Sequence, residues 1–132
     1  MTVNPLIMLV DDDETDLFIN EKIIKVCGIT ERVVSHRNGE LALNYMKNNI
    51  GKPESLPNYI FLDLNMPIMN GTTFMNHFEN LPENVKDGSK IIILSSSNDY
   101  RDKERFKNNK YVLKYLTKPL SEENLNLIDN NN

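Results

Sequence analysis

Residues 60–71 read Ile60-Phe61-Leu62-Asp63-Leu64-Asn65-Met66-Pro67-Ile68-Met69-Asn70-Gly71. With Tyr59 in front, the stretch begins as a short apolar run, the pattern of a strand covered on both faces. The run stops on a carboxylate, Asp63. Turn formers follow at Asn65, Pro67 and Gly71, which puts Asp63 just past the strand end. Burying that carboxylate alone costs on the order of several kcal/mol, so it pairs with a cation or opens onto the sheet's mouth. Ligands of open α/β sheets bind outside the carboxyl ends of the strands. Asp63 is therefore a candidate reactive group, with strand-end capping as the alternative.

Outward from this stretch the pattern repeats. Leu6 to Val10 is a continuous apolar run ending at Asp11-Asp12-Asp13. Arg32 to His36 is a more polar run, the composition of an edge strand. Ile91 to Leu94 ends on Ser95-Ser96-Ser97, and Tyr111 to Leu116 ends on Thr117-Lys118-Pro119. Between the runs lie helical patterns. One starts near Glu14, with Leu17, Phe18, Ile23, Ile24 and Cys27 as its apolar stripe and Gly28 as its terminator. A second starts at Asn38-Gly39. A third is capped by Thr72 or Thr73 and runs through Phe74, Phe78 and Leu81. A charged fourth spans roughly Asp99 to Lys107, and a short fifth runs from Ser121 to Ile128. Asn48 to Pro57 and Pro82 to Ser89 read as loops.

Five strands alternating with helices predict an α/β fold, a mostly parallel sheet with helices on both faces. The 132 residues suffice for one domain with its own core. That domain is expected over 1–132, with an ordered core from about residue 5 to 128 and a frayed asparagine-rich tail over 129–132. A net charge of −4 argues against a broad nucleic-acid or anionic-membrane surface. Cys27 is the only cysteine and reads as a packed thiol. No signal peptide or membrane span is expected, and the chain reads as cytoplasmic.

Parallel strands bring their carboxyl ends to one edge, so Asp11, Asp12, Asp63, a strand-four serine and Lys118 can converge. Three carboxylates in one place repel unless one is protonated or a cation enters. Oxygen ligands of this kind suit Mg²⁺, which takes one or two carboxylates beside phosphate oxygens. Lys118 adds a compact charge for a phosphoryl oxygen or for Asp63 itself. Together they make a site for in-line phosphoryl transfer with Asp63 as acceptor. A purely structural ion-pair cluster is the alternative.

In that order, the segments LIMLVDDD, FLDLNMPIMNG, IIILSS and YLTKPL resemble the receiver domain of bacterial two-component response regulators. The resemblance runs from about Leu6 to Ile128. It implies a flavodoxin-like, doubly wound five-stranded parallel sheet in the order 2-1-3-4-5. It implies Asp63 as phospho-acceptor and Asp11 and Asp12 as holders of Mg²⁺, Asp12 more directly, helped by the backbone carbonyl of Asn65. Asp13 would start the first helix. Ser95 would sense the phosphoryl group, Lys118 would contact it, and Tyr115 would be the switch aromatic. Asn65 and Ser97 would tune the lifetime, and the Lys118–Pro119 bond would be cis.

The implied partners are a sensor histidine kinase or histidine phosphotransfer protein. A downstream protein target would bind the face made by helix 4, strand 5 and helix 5. No nucleic acid or membrane partner is implied, and no enzymatic output beyond phosphorylation from a donor and self-dephosphorylation. One alternative is a Mg²⁺-dependent phosphohydrolase with an aspartate nucleophile. That chemistry needs a second acid two residues beyond the nucleophile, where this chain has Asn65, which cannot protonate a leaving group. Another is a non-phosphorylated binding module on the same fold. His36 and His77 lack partners at ligand spacing and read as solvated or packed. Arg101 to Lys110 reads as a solvated helix face.

Overall fold

The computed structural model describes residues 4–64, 66, 68–96 and 100–129. Asn65, Pro67, Ser97 and the tail beyond Asp129 lie outside the described residues. Five strands, β1 (Ile7–Val10), β2 (Val33–His36), β3 (Tyr59–Leu62), β4 (Lys90–Ser95) and β5 (Val112–Thr117), form one sheet in the order β2-β1-β3-β4-β5. Every pairing is parallel. The expected doubly wound 2-1-3-4-5 topology is the one observed.

The helices divide between the two faces. α1 (Glu14–Val26) and α6 (Glu122–Asp129) cover one face, where Leu17, Ile24, Leu125 and Ile128 meet Ile7, Leu9, Phe61 and Ile92. α2 (Gly39–Asn48), α3 (Gly71–Phe78), α4 (Glu83–Lys86) and α5 (Tyr100–Phe106) cover the other. There Met46, Phe74, Phe78, Val85 and Phe106 pack on Met8, Ile60, Leu62, Ile91 and Ile93. β1 and β3 are buried at every position, as continuous apolar runs require. β2 lies at the edge and is only half-buried.

Helix ends follow local chemistry. Asp13 caps α1, its carboxylate accepting from the amides of Thr15 and Asp16. Gly28 ends α1 with φ +73°, its amide donating to Lys25 O while Ile29 donates to Ile24 O. That is a Schellman arrangement, with glycine in the left-handed conformation it tolerates.

Four expectations need correction. Phe18 is 68% exposed: α1 buries Leu17, Asn20 and Ile24, and position 18 lies about 100° around the helix from 17. The cap of α3 is Asn70, whose side chain accepts from Thr73 N at 2.9 Å, instead of Thr72 or Thr73. The segment from Pro82 to Ser89 holds the one-turn helix α4, pinned where Lys86 Nζ donates to Glu79 O at 2.8 Å. The loop from Asn48 to Pro57 likewise contains a 3-10 turn, Pro53–Ser55. Cys27 packs against the α1–α6 core but stays half-exposed.

Candidate functional site

The site forms one residue beyond the strands, where the ladder gives each residue a last rung. Asp11 N donates to His36 O at 3.1 Å, Asp63 N to Val10 O at 3.0 Å, and Lys118 N to Ser95 O at 2.8 Å. These bonds hold the first residue after β1, β3 and β5 at the same sheet edge. The side chains then converge. Carboxylate oxygens of Asp11, Asp12 and Asp63 all lie within 4.8 Å of one another. Asp11 and Asp63 are 4% and 7% exposed, so water cannot screen their repulsion well, whereas Asp12 faces solvent. Among the described residues this trio is the group arranged to hold a metal ion. Its all-oxygen, multiply anionic character fits a hard divalent cation.

Lys118 provides the positive charge. Its Nζ lies 2.8 Å from Asp11 Oδ2, 3.0 Å from Asp16 Oδ2 and 3.6 Å from Asp63 Oδ2. Burial pushes the ammonium toward losing its proton. The hydrogen bonds to Asp11 and Asp16 and the charges of Asp63 and Asp11 outweigh that and hold its pKa above the ordinary lysine value. The ammonium is therefore charged at any physiological pH. The bond from Lys118 to Pro119 is cis, as the resemblance implies.

Ser95 is the last residue of β4 and fully buried, paired in register with Thr117 of β5. Tyr115 is half-buried on the α5 side of the sheet, with Lys103 Nζ 5.7 Å from its ring centroid. It reaches that face after a one-residue bulge, where Val112 pairs with Ile91 but Lys114 with Ile92. The contributions expected of Asn65 and Ser97 fall outside the described residues.

Asp16 is a member that sequence reasoning passed over. Asp13 caps α1, so Asp16 sits in the first helical turn, where an acid is ordinarily explained by the helix dipole. Its partner lies 102 residues away, and no local pattern signals such a pairing. His77 is exposed and His36 lies at the end of β2, and neither joins the acid cluster.

The chain matches the response regulator receiver domain over residues 7–128. A two-component response regulator from Cytophaga hutchinsonii superposes with a TM-score of 0.86 at 31% identity, over 94% of this chain and 92% of that one. The probable methanogenesis regulatory protein FilR2 of Methanothrix harundinacea is 29% identical over 91% of this chain and 76% of its own length. The sensor histidine kinase CheAY of Helicobacter pylori is 31% identical over 93% of this chain, which corresponds to 14% of that much longer protein. Fold, acid cluster and sequence agree, and the chain belongs to the response regulator receiver domain family.

Proposed function

We propose that Asp63 accepts a phosphoryl group from the phosphohistidine of a sensor histidine kinase or phosphotransfer protein. The observation that carries this reading is the clustering of Asp11, Asp12 and Asp63 within 4.8 Å beside the Lys118 ammonium. A carboxylate oxygen of Asp63 attacks phosphorus in line, the P–N bond breaks, and its electron pair returns to the donor imidazole. Asp11, Asp12, Asp63 and the Asn65 carbonyl would hold Mg²⁺, which neutralises charge building on the phosphoryl oxygens. Lys118 turns from its carboxylate partners toward one of those oxygens.

Ser95 then draws toward the phosphoryl group and Tyr115 turns inward, a shift between two existing conformations. The face that changes is made by α5, β5 and α6, the fourth helix, fifth strand and fifth helix of the resemblance once the one-turn α4 is set aside. A downstream protein reads that face. Water ends the signal by hydrolysing the acyl phosphate, at a rate tuned by Asn65 and Ser97. On this reading residues 1–132 act as one receiver domain in the cytoplasm. Among the described residues no helix is long and apolar enough to cross a membrane.

Intact-mass analysis after incubation with acetyl phosphate tests the proposal, with and without Mg²⁺ and beside Asp63→Asn. One Mg²⁺-dependent phosphoryl adduct, absent from the variant, is expected. A protein that gains no adduct and releases no Asp63-dependent phosphate overturns it.

A further inference from the structure

Lys118 has three N–H donors to distribute, and the structure gives the two short contacts to Asp11 and Asp16. Asp63, at 3.6 Å, receives a charge contact beyond hydrogen-bond length. The two short partners differ in kind. The Asp11 side chain is 6% exposed and belongs to the metal-competent trio. The Asp16 side chain is 37% exposed, stands on α1, and lies outside that trio.

A cation entering the trio engages the oxygens of Asp11 and Asp63, two of the three carboxylates now facing the ammonium. Asp16 is the one that remains. We propose that Asp16 is a positioning residue: it keeps an acceptor for the Lys118 ammonium at the mouth of the site, so that the lysine can release Asp11 and Asp63 when a divalent cation enters. This rests on the phosphoryl-acceptor reading above.

The tether is more than a surface ion pair. It joins the first turn of α1 to the end of β5, the far edge strand. The lysine end is largely withdrawn from water, with 18% of its side chain exposed. Among the described residues, the carboxylates left to a half-buried ammonium without Asp16 are Asp11 and Asp63 themselves. An uncompensated charge at such depth takes whatever acceptor is nearest. The lysine then sits where the cation should.

A double-mutant cycle read by calorimetric Mg²⁺ titration tests this, with wild type, Asp16→Asn, Lys118→Met and the double variant. Asp16→Asn is expected to weaken Mg²⁺ binding about fivefold while Lys118 is present, within the coupling seen for residues sharing one network. In the Lys118→Met background the same change should have less than about a twofold effect, since only a more distant charge is lost. Asp16→Glu, which keeps the carboxylate, should restore binding toward wild type. Equal weakening in both backgrounds, or none in either, overturns the tether. The two readings fail separately. A wild type that binds no Mg²⁺ and takes no phosphoryl group overturns the function and the tether with it. A wild type that does both beside a silent Asp16→Asn overturns the tether alone.

Discussion

Gly71 stands against the backbone of Leu64: its amide donates to the Leu64 carbonyl at 2.9 Å, and a Cβ built on it would lie 2.8 Å from Leu64 Cα and 3.2 Å from Asp63 O. These are backbone atoms with little room to yield. The glycine therefore lets α3 begin directly against the segment that carries Asp63, and its role is clearance, not an unusual φ. Gly71→Ala is expected to cost about 1–3 kcal/mol by overpacking and to slow phosphorylation from acetyl phosphate up to about a hundredfold by displacing Asp63. Gly39→Ala is the comparison, since its Cβ would meet side-chain atoms and no backbone, Met69 Sδ at 3.1 Å and the Phe74 ring at 3.3 Å. It should cost less than about 1 kcal/mol. Equal losses from the two variants, by urea unfolding and labelling rate, would refute this account.

His36 predicts an acid sensitivity. Its ring packs on Tyr45 with centroids 5.3 Å apart, and Nε2 is buried without a hydrogen-bond partner among the described residues. Burial lowers its pKa below the ordinary 6.5. Between that lowered value and 6.5 the unfolded chain binds a proton that the folded chain refuses. The contribution is thus fully present above 6.5 and is lost as pH falls through that window. His36→Phe should reduce the loss of stability between about pH 7.5 and about pH 5.5 in denaturant unfolding. An unchanged slope would place the sensitivity elsewhere.

On the proposed switch, the resting position of the half-buried Tyr115 ring is predicted to depend in part on Lys103, whose ammonium is 5.7 Å from the ring centroid. Such a cation–π contact contributes about 0.5–1 kcal/mol at an exposed site, enough to shift a two-state equilibrium about two- to fivefold. Lys103→Met should raise the inward population of Tyr115 before any phosphorylation, and Lys103→Arg should hold it near wild type. Ring resonances followed by NMR, with and without a phosphoryl mimic, read this directly. Identical spectra for Met and wild type at position 103 would show that the lysine has no hold on the ring.

Much of this architecture was legible in the chain because it depends on run length and on strand ends. β1 and β3 are continuous apolar runs and prove buried on both faces, and the more polar β2 proves to be the edge. Asp11, Asp63 and Lys118 each follow a strand directly, so parallel pairing places them on one sheet edge, where they can converge. What stayed hidden depends on long-range geometry. Phe18 reads as part of an apolar stripe until the helix phase is known, and it then faces out. Thr72 and Thr73 have the chemistry of caps, yet Asn70 does the capping because α3 begins at Gly71, hard against Leu64. Asp16 reads as a first-turn acid until its partner just past the last strand is seen.

The face of Tyr115 is the clearest such case, and it yields a prediction that runs against intuition. Strict alternation would put Val112 and Tyr115, three positions apart, on opposite sides. Instead both pack on the α2–α5 side, while Leu113 packs toward α1 and α6. The extra residue at the bulge resolves the conflict, since Leu113 falls between the pairs Val112–Ile91 and Lys114–Ile92. Deleting Leu113 should therefore regularise the ladder instead of inverting it. Val112 and Lys114 become consecutive opposite Ile91 and Ile92, and Tyr115 keeps its pairing with Ile93. The cost is the packing of one half-buried leucine, about 1–2 kcal/mol. NMR contacts between Tyr115 and α5 should survive in the deletion variant, with unfolding cooperative and its midpoint modestly lowered. Loss of those contacts, with Tyr115 moved to the α1–α6 face, would mean that the register of β5 is set from its amino end and not by pairing with β4.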